Sequence, residues 1–308
     1  MMWDTYNVKI NDDTLRHVTN HIGRIIFEED CRRTDELFRK LDSGHLDFRY
    51  HKKGILYIEA DGAALNTRYR DDEGSTWREN KLGVVYSSDN IHYWTNKKGA
   101  REHRIEKREY VSYVGAAAEF SRHLYRCAVE NGYGAYKETV ILSDGAAWIA
   151  NMAETLFPDA QHILDLFHLK ENVYDFGRNK FGMDESRYVP WAERISNLLE
   201  DGKSDKVLEE LDPDEKYANC VNLHHYISEH KGHINYPEYK AKGYFCGSGA
   251  VESGNKVVLQ KRLKQAGMRW EPRTAQYLLT LKAKYESGRW ERDVVAFIKQ
   301  NPNKLEKE

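Results

Sequence analysis

An apolar run closed by Asp-Gly occurs twice in this chain, as Ile55-Leu-Tyr-Ile-Glu-Ala-Asp61-Gly62 and as Thr139-Val-Ile-Leu-Ser-Asp144-Gly145. No other feature constrains the fold as much. Short β-branched and aliphatic runs read as buried strands, and a terminal Asp-Gly reads as a carboxylate delivered at a sheet edge where the chain turns away. Much later a single acid, Glu252, stands in Gly247-Ser-Gly-Ala-Val-Glu252-Ser-Gly-Asn255, at the head of a basic helical stretch. One Asp-Gly alone is usually only a turn. Two strand-borne aspartates and a helix-borne glutamate together make the donor set of a two-metal site. Mg²⁺ or Mn²⁺ takes hard oxygen ligands, and two ions about 3.5–4 Å apart steady the attacking and leaving oxygens of an in-line phosphodiester displacement. Asp61, Asp144 and Glu252 are therefore the candidate catalytic and metal-ligating residues.

The rest of the chain supplies a frame for them. Asn11-Asp-Asp-Thr14 offers helix caps ahead of Leu15, Val18, Ile22, Ile25 and Ile26 at helical spacing, so residues 1–50 read as an N-terminal helical segment without a visible role. Residues 51–168 alternate: a strand to Asp61, strands Lys81–Ser88 and Lys107–Val114, a helix Ala116–Asn131, a strand to Asp144, a helix Ala146–Leu156 and a strand His162–Leu166. An antiparallel, hairpin-like opening followed by crossover units predicts an α/β domain with a mixed sheet. Residues 169–245 lose strand character. Helical periodicity at Val189–Leu199 and Val207–Leu211, broken at Asp201-Gly, Asp212-Pro and Tyr236-Pro, predicts an all-helical insertion. Residues 246–300 then carry a helix from Ser248 or Ser253 through Asn255, Leu259 and Leu263, a break at Ala266–Pro272, and a last helix Thr274–Ser287; residues 301–308 form a tail. On the first of these helices Glu252, Asn255, Lys256, Leu259 and Arg262 fall within i+3/i+4 reach of one another.

Charge is unevenly spread. The net charge is −2, yet residues 240–292 carry 12 Lys/Arg against 4 Asp/Glu, which leaves +8 there and −10 elsewhere. Clustered cations displace counterions from a phosphate backbone, so the pattern points to DNA; a solvated helix face is the plainer alternative. The sequence has no apolar stretch of bilayer-spanning length, and its start, MMWDTYNVKINDD, lacks an export signal, so no membrane partner and a cytoplasmic location are expected. Cys31, Cys127, Cys220 and Cys246 form no C-x-x-C pair and read as reduced thiols. His224, His225, His230 and His233 near Cys220 and Cys246 lack the paired spacing of a structural zinc site.

Three segments carry a resemblance: LSDGAAWI, FPDAQHILDLFHLKEN and GSGAVESGNKVVLQKRLKQAGMRW. Together they resemble the catalytic part of bacterial insertion-sequence transposases of the DDE type, in the Kra- and Lre-type groups related to Mutator elements. The likeness covers roughly residues 50–295. It implies a ribonuclease H-like core with a helical insertion before the last catalytic helix, with Asp61, Asp144 and Glu252 as the metal-binding triad. It also implies Mg²⁺- or Mn²⁺-dependent cleavage of DNA at element ends and strand transfer to target DNA by a DNA-assembled homo-oligomer. His168, in Asp165-Leu-Phe-His168, would border the active site and touch a phosphate, or else be a structural histidine. Asp165 reads better as a helix N-cap than as a fourth carboxylate. Lys256, Lys261, Arg262, Lys264 and Arg269 would hold phosphates, and Trp270 would stack on a splayed base, whereas Trp290 reads as core. Similar transposases commonly carry a longer N-terminal region. Either the insertion and the short first helix recognise the ends, or the reading frame is a truncated, inactive DNA-binding remnant. A metal-free hydrolase with paired carboxylates, such as a glycosidase, is the remaining rival; it gives the basic helix no purpose.

Overall fold

The computed structural model describes residues 11–46 and 48–305. The chain is α/β, with a mixed five-stranded sheet holding parallel and antiparallel pairs, a separate two-stranded hairpin and many helices. It divides into two compact units, one formed by the stretch up to Lys137 with that from Ala250 onward, the other by Glu138–Gly249. Among the described residues no helix is long and apolar enough to cross a membrane.

The first unit opens with α1 (Asp12–Asp42), whose N-cap Asn11 accepts a hydrogen bond from the Thr14 amide as the sequence suggests. Then come β1 (Lys52–Asn66), β2 (Trp77–Ser87), the hairpin β3 (Ile91–Thr95) and β4 (Arg101–Ile105), β5 (Glu109–Val114) and α2 (Ala117–Glu130). Strands β5, β2 and β1 lie side by side and antiparallel, with Asp61 opposite Leu82 and Leu82 opposite Ser112. The two-residue period of a strand therefore groups Tyr57, Glu59, Asp61 and Ala63 with Tyr86, Val84, Leu82 and Asn80 on one face. The opposite face receives α2, for which Gly83 leaves room: a Cβ there would lie 2.6 Å from Leu124. The first unit closes with α9 (Gly249–Gly254), a π-helical turn (Asn255–Gln260), α10 (Lys261–Leu263), α11 (Pro272–Glu286), a second π-turn (Trp290–Val295) and α12 (Ala296–Gln300).

The two Asp-Gly pairs do different work, which corrects one expectation. Strand β1 does not end at Asp61 but continues to Asn66, because Gly62 stays extended opposite Lys81. Gly62 there supplies space, since a Cβ would meet the Glu79 carboxylate at 2.0 Å. Gly145, at φ 93°, does turn the chain as expected. The hairpin β3–β4 was not foreseen: its residues are mostly exposed, so it lacks the apolar alternation that betrays a strand.

In the second unit β6 (Tyr136–Ser143), which starts at the boundary, α3 (Ala147–Leu156) and β7 (Gln161–Leu164) form a right-sized crossover with β6 and β7 parallel. Helices α4 (Leu166–Lys180), α5 (Glu185–Glu200), α6 (Ser204–Glu210), α7 (Leu223–Glu229) and α8 (Tyr236–Ala241) follow, so 169–245 contains helices and no strand, in one unit with β6 and β7.

Helix α1 is an integral wall of the first unit. Gly23 lets it approach α11, where a Cβ would lie 2.7 Å from Tyr277, and Ile26 shares a core with Leu281 and Val294. Asp30 on α1 accepts from Arg126 of α2 at 3.0 Å and from Lys284 of α11 at 2.9 Å. Burial raises the Asp30 carboxyl, but Lys284 and then Arg126 outweigh it and hold the pKa below its usual value. The resulting stability is present above the ordinary Asp range and is lost as pH falls through the depressed pKa. Asp30→Asn, which takes one carboxylate from two largely buried cations and leaves Arg126 only Glu130 and Lys284 only Asp293 as acidic partners among the described residues, is expected to cost about 1–3 kcal/mol in urea unfolding at pH 7. That gap should narrow on acidification; equal midpoints at pH 7 would refute it.

Candidate functional site

Strand β1 places two acids on its helix-covered face. Glu59 is fully buried; it accepts from the Tyr86 hydroxyl at 2.6 Å and from the Val251 amide at 2.8 Å. Val251 lies in the first turn of α9, so Glu59 satisfies an amide that helix geometry leaves without a partner. One turn further, Gly254 meets the sheet: a Cβ would lie 2.6 Å from Tyr110 and 3.0 Å from Leu82. The next residue, Asn255, donates its Nδ2 to Asp61 Oδ2 at 2.5 Å. Asp61 and the helix bearing Glu252 are thus joined within the first unit by a part-buried hydrogen bond. Glu252 precedes Asn255 by one helical turn and is exposed.

Asn255 carries an unusual feature. It is 3% exposed, yet its Oδ1 has no hydrogen-bond partner among the described residues. Reversing the amide would set that carbonyl oxygen against the Asp61 carboxylate, so the donor orientation toward Asp61 is dictated by charge. The orphaned oxygen shares a carbon with Nδ2 and so lies beside that carboxylate. Leaving a buried acceptor unmet costs about 1–3 kcal/mol. The Asp61 carboxylate and the Asn255 amide oxygen are hard oxygen donors of the kind that suit Mg²⁺ or Mn²⁺, and Glu252 stands one helical turn before Asn255.

Asp144 belongs to the second unit. Its Oδ1 accepts from the Ala146 amide at 2.9 Å, a turn that leads into α3. The loop is held from outside: the Tyr226 hydroxyl donates to the Asp144 carbonyl at 3.2 Å, and a Cβ on Gly145 would collide with His230 Nε2 at 2.9 Å. Burial and then the neighbouring His233 push the His230 imidazole down, and burial lowers His162 to about 4.

Asp165 is the N-cap that the sequence favours. Its Oδ1 accepts from the Phe167 amide at 2.6 Å and the His168 amide at 3.0 Å, while Oδ2 accepts from the Ser248 amide and hydroxyl. It therefore holds the Gly247-Ser-Gly loop in the second unit. His168 is half-buried on α4, with Nδ1 3.1 Å from Glu171. Lys256, Lys261, Arg262, Lys264 and Arg269 are all exposed, and Trp270 is half-buried. Glu59 and the role of Asn255 escaped the sequence reading. The signal for Glu59 was available, since an ionisable residue in the middle of a buried apolar run needs a partner.

Calorimetric titration with Mn²⁺ checks the donor set without any assay of activity. Asp61→Asn should abolish saturable binding, and Asn255→Ala should weaken it about 10- to 100-fold. Wild-type affinity in Asn255→Ala would remove its oxygen from the set.

A scan against protein-family models finds no match for this chain, and a search of curated proteins finds no relative.

Proposed function

We propose that this protein is a metal-dependent DNA strand-cleaving and strand-transferring enzyme of the DDE transposase type, built on a ribonuclease H-like core. The observation that carries the reading is the part-buried Asn255–Asp61 hydrogen bond, which links a strand-borne aspartate to the helix bearing Glu252. The outward-facing cations from Lys256 to Arg269 on and after that helix add a surface suited to phosphates.

In this reading Asp61, Asp144 and Glu252 would hold the metal ions. Two Mg²⁺ ions, when bound, supply Lewis-acid stabilisation to the oxygens of an in-line phosphoryl displacement and promote ionisation of the attacking hydroxyl. Asn255 orients Asp61, while Glu59 sets the start of the Glu252 helix. The turn after Asp144, clamped by Tyr226 and His230, fixes the direction of that carboxylate. Lys256, Lys261, Arg262 and Lys264 bind the sugar-phosphate backbone, which positions DNA without reading its sequence. His168 sits at the head of α4, from where it would reach a scissile-end phosphate. Strand transfer joins two ends, so a DNA-assembled homo-oligomer is part of the proposal.

Asp144→Asn is expected to abolish Mg²⁺-dependent nicking of duplex DNA while changing duplex affinity by less than about twofold, since it removes a metal ligand and no phosphate-binding cation. Parallel loss of binding and cleavage in the folded variant would count against this division of labour. Affinity for duplex DNA should also fall with salt at a log–log slope of about −0.9 per phosphate contacted. Lys261→Ala with Lys264→Ala should flatten that slope by about one per lost contact, for all sequences alike. An unchanged slope would exclude this helix from the DNA interface.

A further inference from the structure

The N-terminal half of α1, which the sequence leaves without a role, forms one wall of a groove of about 780 Å³ within the first unit. The opposite wall is Arg68, just beyond β1, with the segment that runs from Arg262 into α11. Four guanidinium groups line this groove, those of Arg16, Arg68, Arg262 and Arg269, together with the Trp270 indole and Leu15. Of the two acids that also line it, Glu271 is engaged as the N-cap of α11, accepting from the Thr274 amide at 2.6 Å; the other, Asp12, lies in the first turn of α1.

Trp270 is held rigidly. Its amide donates to the Asn66 carbonyl at 3.1 Å, and its carbonyl accepts from the Arg68 amide at 2.8 Å, so the residue pairs with the outgoing end of β1. The indole N–H donates to the Leu263 carbonyl at 3.0 Å, and the Arg262 guanidinium carbon lies 5.8 Å from the ring centroid. A residue fixed by three hydrogen bonds, one of them from its ring, loses little further entropy on meeting a partner, which favours stacking. Arginines spaced around a fixed aromatic ring match a sugar-phosphate chain with exposed bases: guanidinium groups bind phosphates bidentately, and the ring stacks on any base. In a duplex the base faces are already stacked on one another, and only an unpaired base can use Trp270.

We propose that this groove binds single-stranded DNA, with an unpaired base stacked on Trp270 and the flanking phosphates held by Arg16, Arg68 and Arg269. The proposal rests on DNA being the partner, and it assigns α1 to recognition of a frayed or already cleaved end rather than of the duplex.

The test is fluorescence anisotropy of the full chain with a labelled oligothymidylate and with a duplex of equal length, across a salt series. Trp270→Leu should weaken single-strand binding about 5- to 150-fold and duplex binding by less than about twofold, and Trp270→Tyr should restore most of the loss. Arg16→Glu, at a position whose side chain is 62% exposed, keeps the test independent of folding around the indole. It should weaken the single-strand complex selectively and flatten its salt slope by about 0.7 per lost contact. Duplex binding with single-strand affinity indifferent to Arg16→Glu and either Trp270 variant overturns the groove and leaves the enzyme reading standing. Equal losses on both DNA forms overturn the single-strand assignment. Failure of the wild type to bind either DNA at low salt overturns the enzyme reading and this proposal together.

Discussion

A carboxylate without access to water is tolerable only when its oxygens are met by donors, and Glu59 is such a group. Burial, and then the charge of Glu59, push the Tyr86 hydroxyl well above its ordinary pKa, so Tyr86 remains a donor at any physiological pH. The second donor is the Val251 amide, and this makes the bond a registration mark between strand and helix. With Val251 pinned, Gly254 must face Leu82 and Tyr110, and Asn255 must face Asp61. A slip of one residue would turn Asn255 away by about 100°. The candidate site thus depends on a residue that touches no proposed substrate or ion.

Much of this was legible. Apolar runs with punctuation at Gly145 and the caps at Asn11 and Asp165 located β6, α1 and α4, because those signals are local. The signals that failed are non-local. Nothing in the local sequence distinguishes Gly62 from Gly145; what keeps Gly62 extended is its pairing with Lys81 on the partner strand. The same reasoning explains why the orphaned oxygen of Asn255 was invisible, since its state depends on a strand far away in sequence.

Charge counting along the sequence was similarly incomplete. The +8 of residues 240–292 includes cations turned inward. Lys284 meets Asp30 with 11% of its side chain exposed, and Arg289 pairs with Glu109. Lys240 and Lys242 pair with Glu200 and Glu238. The exposed cations include a run from Lys256 to Arg273, joined by Arg16 and Arg68 from segments whose sequence context shows no basic bias. A three-dimensional basic surface is assembled here from parts that a sliding window dilutes.

The π-helical turn at Asn255–Gln260 separates the acid-bearing end of its helix from the basic end. A π-turn arises when a helix absorbs one extra residue, and it often marks a functional position. Its effect is to divide one helix between two structural environments. Residues up to Asn255 are locked to β1, while Lys261 onward is set at an angle that the turn defines independently. Substitutions on the basic side can therefore leave the Glu59 and Asp61 bonds intact, and shortening the turn by one residue would reorient the cations as a block. The helix is, in structural terms, two modules joined by one turn.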